Sequence, residues 1–138
     1  MLLKKFALSA VVALLAAGCG GPLKYTVASS NAAPGADAEI VADVREDQKV
    51  TQLEVSAENL PPPARISEGS EAYAVWYRKD VNAQWTRIGN LEYDADDREG
   101  KLVGSVPELA FDVEITAEPQ GDPASPSSHV VFSQRVAK

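Results

Sequence analysis

The segment Phe111-Asp112-Val113-Glu114-Ile115-Thr116-Ala117-Glu118 alternates strictly between apolar and polar residues. A period of two places Phe111, Val113, Ile115 and Ala117 on one side of an extended chain and the polar residues on the other. A helix would scatter the same apolar residues around its circumference. Six further runs are β-like in pattern or composition: 39–44, 51–57, 72–78, 85–93, 101–106 and 130–136. Pro61-Pro62-Pro63, Asp80-Val81-Asn82, 94–100 and 119–128 separate them with turn and loop chemistry. No segment carries a helical period long enough for a main helix. Short strands punctuated by turns predict two packed sheets. The expectation is an all-β domain over 39–138, an immunoglobulin-like antiparallel β-sandwich of about seven strands. The single cysteine cannot form the disulfide that staples immunoglobulin domains, so the core must rest on apolar burial. Phe111, Val113, Ile115, Leu53, Val55 and one face of Tyr73–Tyr77 are the predicted core. A turn after Tyr77 and then Trp85 predict a central hairpin.

The first residues have the three parts of a secretion signal. Two lysines, Lys4 and Lys5, precede an apolar stretch from Phe6 to Ala17. That stretch is shorter than the roughly 20 residues a membrane span needs. The run Ala16-Ala17-Gly18-Cys19 resembles the lipobox of bacterial lipoproteins. The resemblance implies a signal peptide over 1–18, cleaved just before Cys19. It also implies a diacylglyceryl group on the thiol, with a further acyl chain such as palmitate on the new amino group. Each buried methylene contributes about 0.8 kcal/mol, so two or three chains hold a protein at the bilayer effectively permanently. Gly20 follows, where an aspartate favours inner-membrane retention in enterobacterial relatives. Its place there points to the outer membrane in a two-membrane organism. Residues 19–38 read as the lipidated cysteine and a flexible tether with a span of about 20–25 Å. Leu23, Tyr25 and Val27 also have the spacing of one short strand.

Loss of the signal removes two lysines. Eleven basic residues then face twenty acidic ones, a net charge of −9. A surface this acidic disfavours nucleic acid and a second, electrostatic contact with anionic headgroups. With Cys19 acylated, no thiol remains for redox chemistry.

A second resemblance covers residues 50–136. Ala72-Tyr73-Ala74-Val75-Trp76-Tyr77, Ile88-Gly89-Asn90-Leu91, Phe111 to Pro119, Pro123 to Pro126 and Val130-Val131 follow in order. This succession resembles the extracytoplasmic domain of anti-sigma-K factors. Those factors also carry a cytoplasmic sigma-binding domain and a transmembrane helix, and this sequence shows neither. The resemblance therefore implies an envelope-side β domain that senses or binds.

Catalytic and metal-binding patterns are weak. Asp94, Asp96, Asp97 and Glu99 precede Gly100, but Arg98 takes the third alternate position of a calcium loop, so a solvated hairpin turn is expected. His129 is the only histidine, a poor start for zinc. Ser127 and Ser128 adjoin it, yet neighbours on a strand point to opposite faces, and no nucleophile elbow is present. Glu114 and Glu118 are expected on an outward acidic face rather than as a glycosidase pair. The three prolines are expected to stiffen a crossing between strands. No cofactor is implied.

The aromatic residues Trp76, Tyr77, Trp85 and Tyr93 are expected chiefly to pack in the core, and they are also the candidate binding surface, a platform for a glycan or a peptide. Alternation puts Trp76 and Tyr77 on opposite faces, so one of the two is expected in the core. The sequence thus predicts a non-enzymatic envelope lipoprotein. Cys19 holds it to the bilayer, and its β-sandwich binds an envelope protein or glycan or has a structural role. A sensory domain related to anti-sigma factors is the alternative, and a hydrolase is the third.

Overall fold

A computed structural model describes residues 21–138, so Cys19 and the lipobox-like run lie outside the described residues. The fold is an antiparallel sandwich of nine strands. One sheet is ordered β1-β2-β3-β7-β6, with β1 at Leu23–Ala28, β2 at Asp37–Arg45, β3 at Val50–Glu58, β6 at Glu92–Asp94 and β7 at Glu99–Val106. The other is ordered β5-β4-β8-β9, with β4 at Ala72–Arg78, β5 at Thr86–Asn90, β8 at Phe111–Glu118 and β9 at Val130–Val136. A single helical turn, α1 at Pro63–Ile66, follows the proline run. Among the described residues, no helix is long and apolar enough to cross a membrane.

The alternation of the sequence sets the core. Phe111, Val113, Ile115 and Ala117 of β8 face Ile40, Leu53, Val55 and Ala57 of the other sheet, and all are buried. Burying each of the larger side chains among them contributes about 1.5–3 kcal/mol. Tyr73 and Val75 of β4 join the same interior, and β4 pairs with β5 in the predicted hairpin.

Two strands depart from expectation. The run 85–93 is not one strand. Its pairing with β4 ends at Asn90, and Glu92 then pairs with Lys101 in the opposite sheet. Buried Leu91 is the hinge, 5% exposed, its N–H donating to Tyr73 O at 2.9 Å. The crossing brings β5 and Leu91 close against glycines of β7. A Cβ at Gly104 would meet Ile88 Cγ2 at 2.8 Å, and one at Gly100 would meet Leu91 at 3.0 Å.

The second correction concerns the tether. Residues 23–28 form an edge strand in full register with β2, from Leu23 opposite Ala42 to Ala28 opposite Asp37. Val27 is buried, and Tyr25 Oη donates to Ala137 O at 3.2 Å while accepting from Ala137 N–H at 3.1 Å. Ser30 N–H donates to Val131 O, and Ala33 and Ala36 are buried in the return to β2. Apolar residues at alternate positions outweighed the polar, glycine-rich composition around them. Only Gly20, Gly21 and Pro22 separate Cys19 from this strand.

Candidate functional site

The outer face of the β5-β4-β8-β9 sheet carries a continuous band of polar side chains. Opposite the core residues of β4 and β8 stand Trp76, Arg78, Asp112, Glu114, Thr116 and Glu118. This face has two parts.

The part nearer β4's first residues is sealed. Trp76 is fully buried although it points away from the main core. Its indole N–H donates to Thr116 Oγ1 at 2.9 Å, and Thr116 in turn donates to Glu118 Oε2 at 2.5 Å. Glu118 is only 2% exposed, and Ser127 N–H donates to the same oxygen at 2.8 Å. Arg87 of β5 holds Asp122 of the 119–129 loop and Asn90. These contacts tie the proline- and serine-rich loop to the sheet. Glu118, expected to be solvated, is therefore buried as the acceptor that fixes a loop, as buried carboxylates require.

The part at the other end of the strands is open. A groove of about 420 Å³ is lined by Arg78, Val81, Trp85, Asp112, Glu114 and Arg135, with Ser133 and Gln134. Asp112 accepts from Arg78 Nε at 3.0 Å and from Arg135 Nη1 at 3.2 Å. The Arg78 guanidinium lies 4.4 Å over the Trp85 ring, a cation–π geometry. Glu114 sits one step along β8. Burial pushes its carboxyl above the usual 4.5, Arg78 opposes the rise, and Glu118 adds to it. Val81, 73% exposed, stands at the rim. The arrangement offers an aromatic surface, two guanidinium groups and two carboxylates, all on one face.

The four aromatic residues of the candidate platform do not share that face. Trp85 alone lines the groove. Trp76 lies under the sealed part. Tyr77 points inward, edge-on to Phe111 with ring centroids 6.3 Å apart. Tyr93 lies in the opposite sheet, edge-on to Tyr73 at 5.5 Å. Its hydroxyl donates to Leu60 O at 2.6 Å, and the Tyr73 hydroxyl donates to Pro61 O. Burial raises both phenols above their ordinary 10.0. The two tyrosines thus fix the proline crossing between the sheets. Sequence spacing identifies the hairpin and the outward place of Glu114 but misses Arg78, Asp112 and Arg135, which β-strand register alone brings beside it.

The other candidate groups resolve locally. Asp94 Oδ1 accepts from Asp96 N–H at 2.9 Å and Asp97 N–H at 3.3 Å, and Arg98 adopts a left-handed φ of 58°. These features make a tight β6–β7 hairpin. Among the described residues, no cluster of three or more metal-ligating side chains is present. His129 Nε2 lies 3.1 Å from Ser67 Oγ, a partner the sequence did not suggest. The imidazole is exposed, and no carboxylate among the described residues bonds its other nitrogen. A second depression, about 560 Å³, lies on the outer face of the other sheet between Thr26, Asp37, Glu39, Ser56, Glu58 and Lys101. It has no aromatic wall.

Compared with protein-family profiles, curated proteins and solved structures, the chain matches none of them. What the groove can do follows from its own geometry.

Proposed function

We propose that this protein is a non-catalytic envelope lipoprotein, held to a bilayer through acylated Cys19, that binds through the groove at Arg78, Trp85 and Glu114. One observation carries the reading. The sandwich begins at Leu23, four residues after the cysteine of the lipobox-like run. A chain whose first strand is locked into the fold that close to its lipid is built to work at a membrane surface. A preset polar and aromatic surface supports binding: both guanidinium groups are held by Asp112, and that of Arg78 also lies over Trp85.

Mass spectrometry of the full chain from bacterial membranes tests the anchor. The expected product is a lipidated peptide beginning at Cys19, lost in Cys19→Ser. A soluble, unmodified chain would overturn the reading. Hydrolase screening of the purified lipoprotein, with and without divalent metals, tests the second half. Metal-dependent turnover lost on mutating His129, or serine-dependent turnover lost in Ser67→Ala, would replace the binding role with an enzymatic one.

A further inference from the structure

The mature net charge of −9 is not spread over the molecule. Strand register defines two ends. Leu23 opens β1 at one end, together with the β2–β3 turn, the β4–β5 and β7–β8 connections and the chain's last residues. The contact between Tyr25 and Ala137 joins the two sheets there. The remaining connections lie at the opposite end, where Ser30 meets Val130 and Val131.

Charge segregates between these ends. Segments 29–37, 58–72, 90–99 and 118–129 make the far end and hold eleven carboxylates against Arg65 and Arg98. Segments 43–51, 78–86, 105–112 and 134–138 make the Leu23 end and hold six carboxylates and six basic residues. The strands between them balance, so the whole excess of nine negative charges sits at the far end. The Leu23 end is neutral overall, and its basic residues include Arg78, Lys79, Arg135 and Lys138. One rim of the groove lies there, with Trp85 in its wall and Val81 exposed on the β4–β5 loop.

We propose that the headgroup layer of the anchoring bilayer is what the Leu23-end rim of this groove, Arg78, Val81 and Trp85, binds, so that the domain stands on its Leu23 end with its acidic end pointing away. The inference rests on the lipid attachment at Cys19 proposed above. The reach of the chain requires the contact. Four residue steps from Cys19 to Leu23 span at most about 14 Å. A domain held on so short a link either rests on headgroups or leans over them, and leaning would bring carboxylates toward lipid phosphates. Tryptophan and arginine suit a bilayer interface, where the ring meets acyl chains and the guanidinium meets phosphate. The uniform repulsion that the total charge implied does not operate at a neutral end.

The test uses the full lipidated chain, in which Cys19 is blocked and one introduced cysteine takes a fluorophore. Val81→Cys reports the Leu23 end and Asp97→Cys the far end, both exposed loop positions. The proteins are reconstituted in phosphatidylethanolamine vesicles containing phosphatidylglycerol and lipids brominated near the headgroup. The label at position 81 should lose most of its emission and the label at 97 none. Adding Lys79→Glu to the position-81 variant should weaken the quenching. Vesicles that float without the protein would remove the anchoring reading and this one with it. Co-flotation with equal quenching at both positions, or stronger quenching at 97, would leave the anchor intact and overturn the orientation. Co-flotation with no quenching at 81 would free the groove for a glycan or protein partner and overturn the proposal.

Discussion

Trp76 and Thr116 are both completely buried on the side of their sheet that faces away from the main core, joined by a 2.9 Å hydrogen bond. The pair links β4 to β8 and hands its polarity on to Glu118 and Ser127. A second, polar interior lies there beneath the 119–129 loop.

Thr116→Val keeps the shape and removes the hydroxyl. It leaves the indole N–H without an acceptor and takes one of two donors from Glu118, which keeps the Ser127 N–H. The expected loss is about 1–3 kcal/mol, the cost of stranding buried polar groups. Thr116→Ser should retain most of the stability. Urea denaturation of the three proteins measures the difference.

Gly104→Ala places a Cβ within 2.8 Å of Ile88 Cγ2, at the close approach of β5 and β7. Overpacking of this kind costs about 1–3 kcal/mol. Combining it with Ile88→Ala, which clears the space, should recover part of the loss beyond the additive value. A double-mutant cycle in urea reads the coupling.

Glu114 gives a pH signature. Its folded pKa is raised above the ordinary 4.5, chiefly by burial. The folded chain therefore holds the proton to higher pH than the unfolded chain does. Above the folded value the charged carboxylate destabilises the fold, and the penalty is relieved as pH falls through it. Glu114→Gln should raise Tm at neutral pH, and the gap from wild type should close as pH drops through the carboxylate range. A gap that persists at low pH would refute the desolvation cause.

Tyr25→Phe removes both hydrogen bonds to Ala137. The expected loss is about 1 kcal/mol, with amide exchange in 23–28 and 136–138 accelerating more than in β8. Uniform acceleration would show that β1 does not open separately.

The residues explain what could be read from sequence. Phe111 to Ala117 announces its core face because alternation is local, and Val113 and Ile115 are buried as expected. The 85–93 run looks continuous because pattern alone does not show a change of sheet. Gly89-Asn90 is the one local sign of the break at Leu91. Residues 23–28 carry a strand's spacing inside a linker's composition, and the spacing prevailed once β2 supplied a partner. The burial of Glu118 was illegible, since Ser127, nine residues on, supplies its donor. The groove was half legible. Trp85 marks it, but Arg78, Asp112 and Arg135 meet only through register across three strands. Charge segregation is likewise a property of topology.

The placement of β1 also decides how the molecule bears force. The chain enters at Leu23 and runs away from its entry point, hydrogen-bonded to β2 along its whole length. A pull on the preceding residues acts along the strand axis. It loads the β1–β2 bonds together, in shear, instead of peeling them apart one by one. The edge strand nearest the proposed anchor is thus mounted in its stronger mechanical direction, and tension on the link reaches the sandwich without unzipping it.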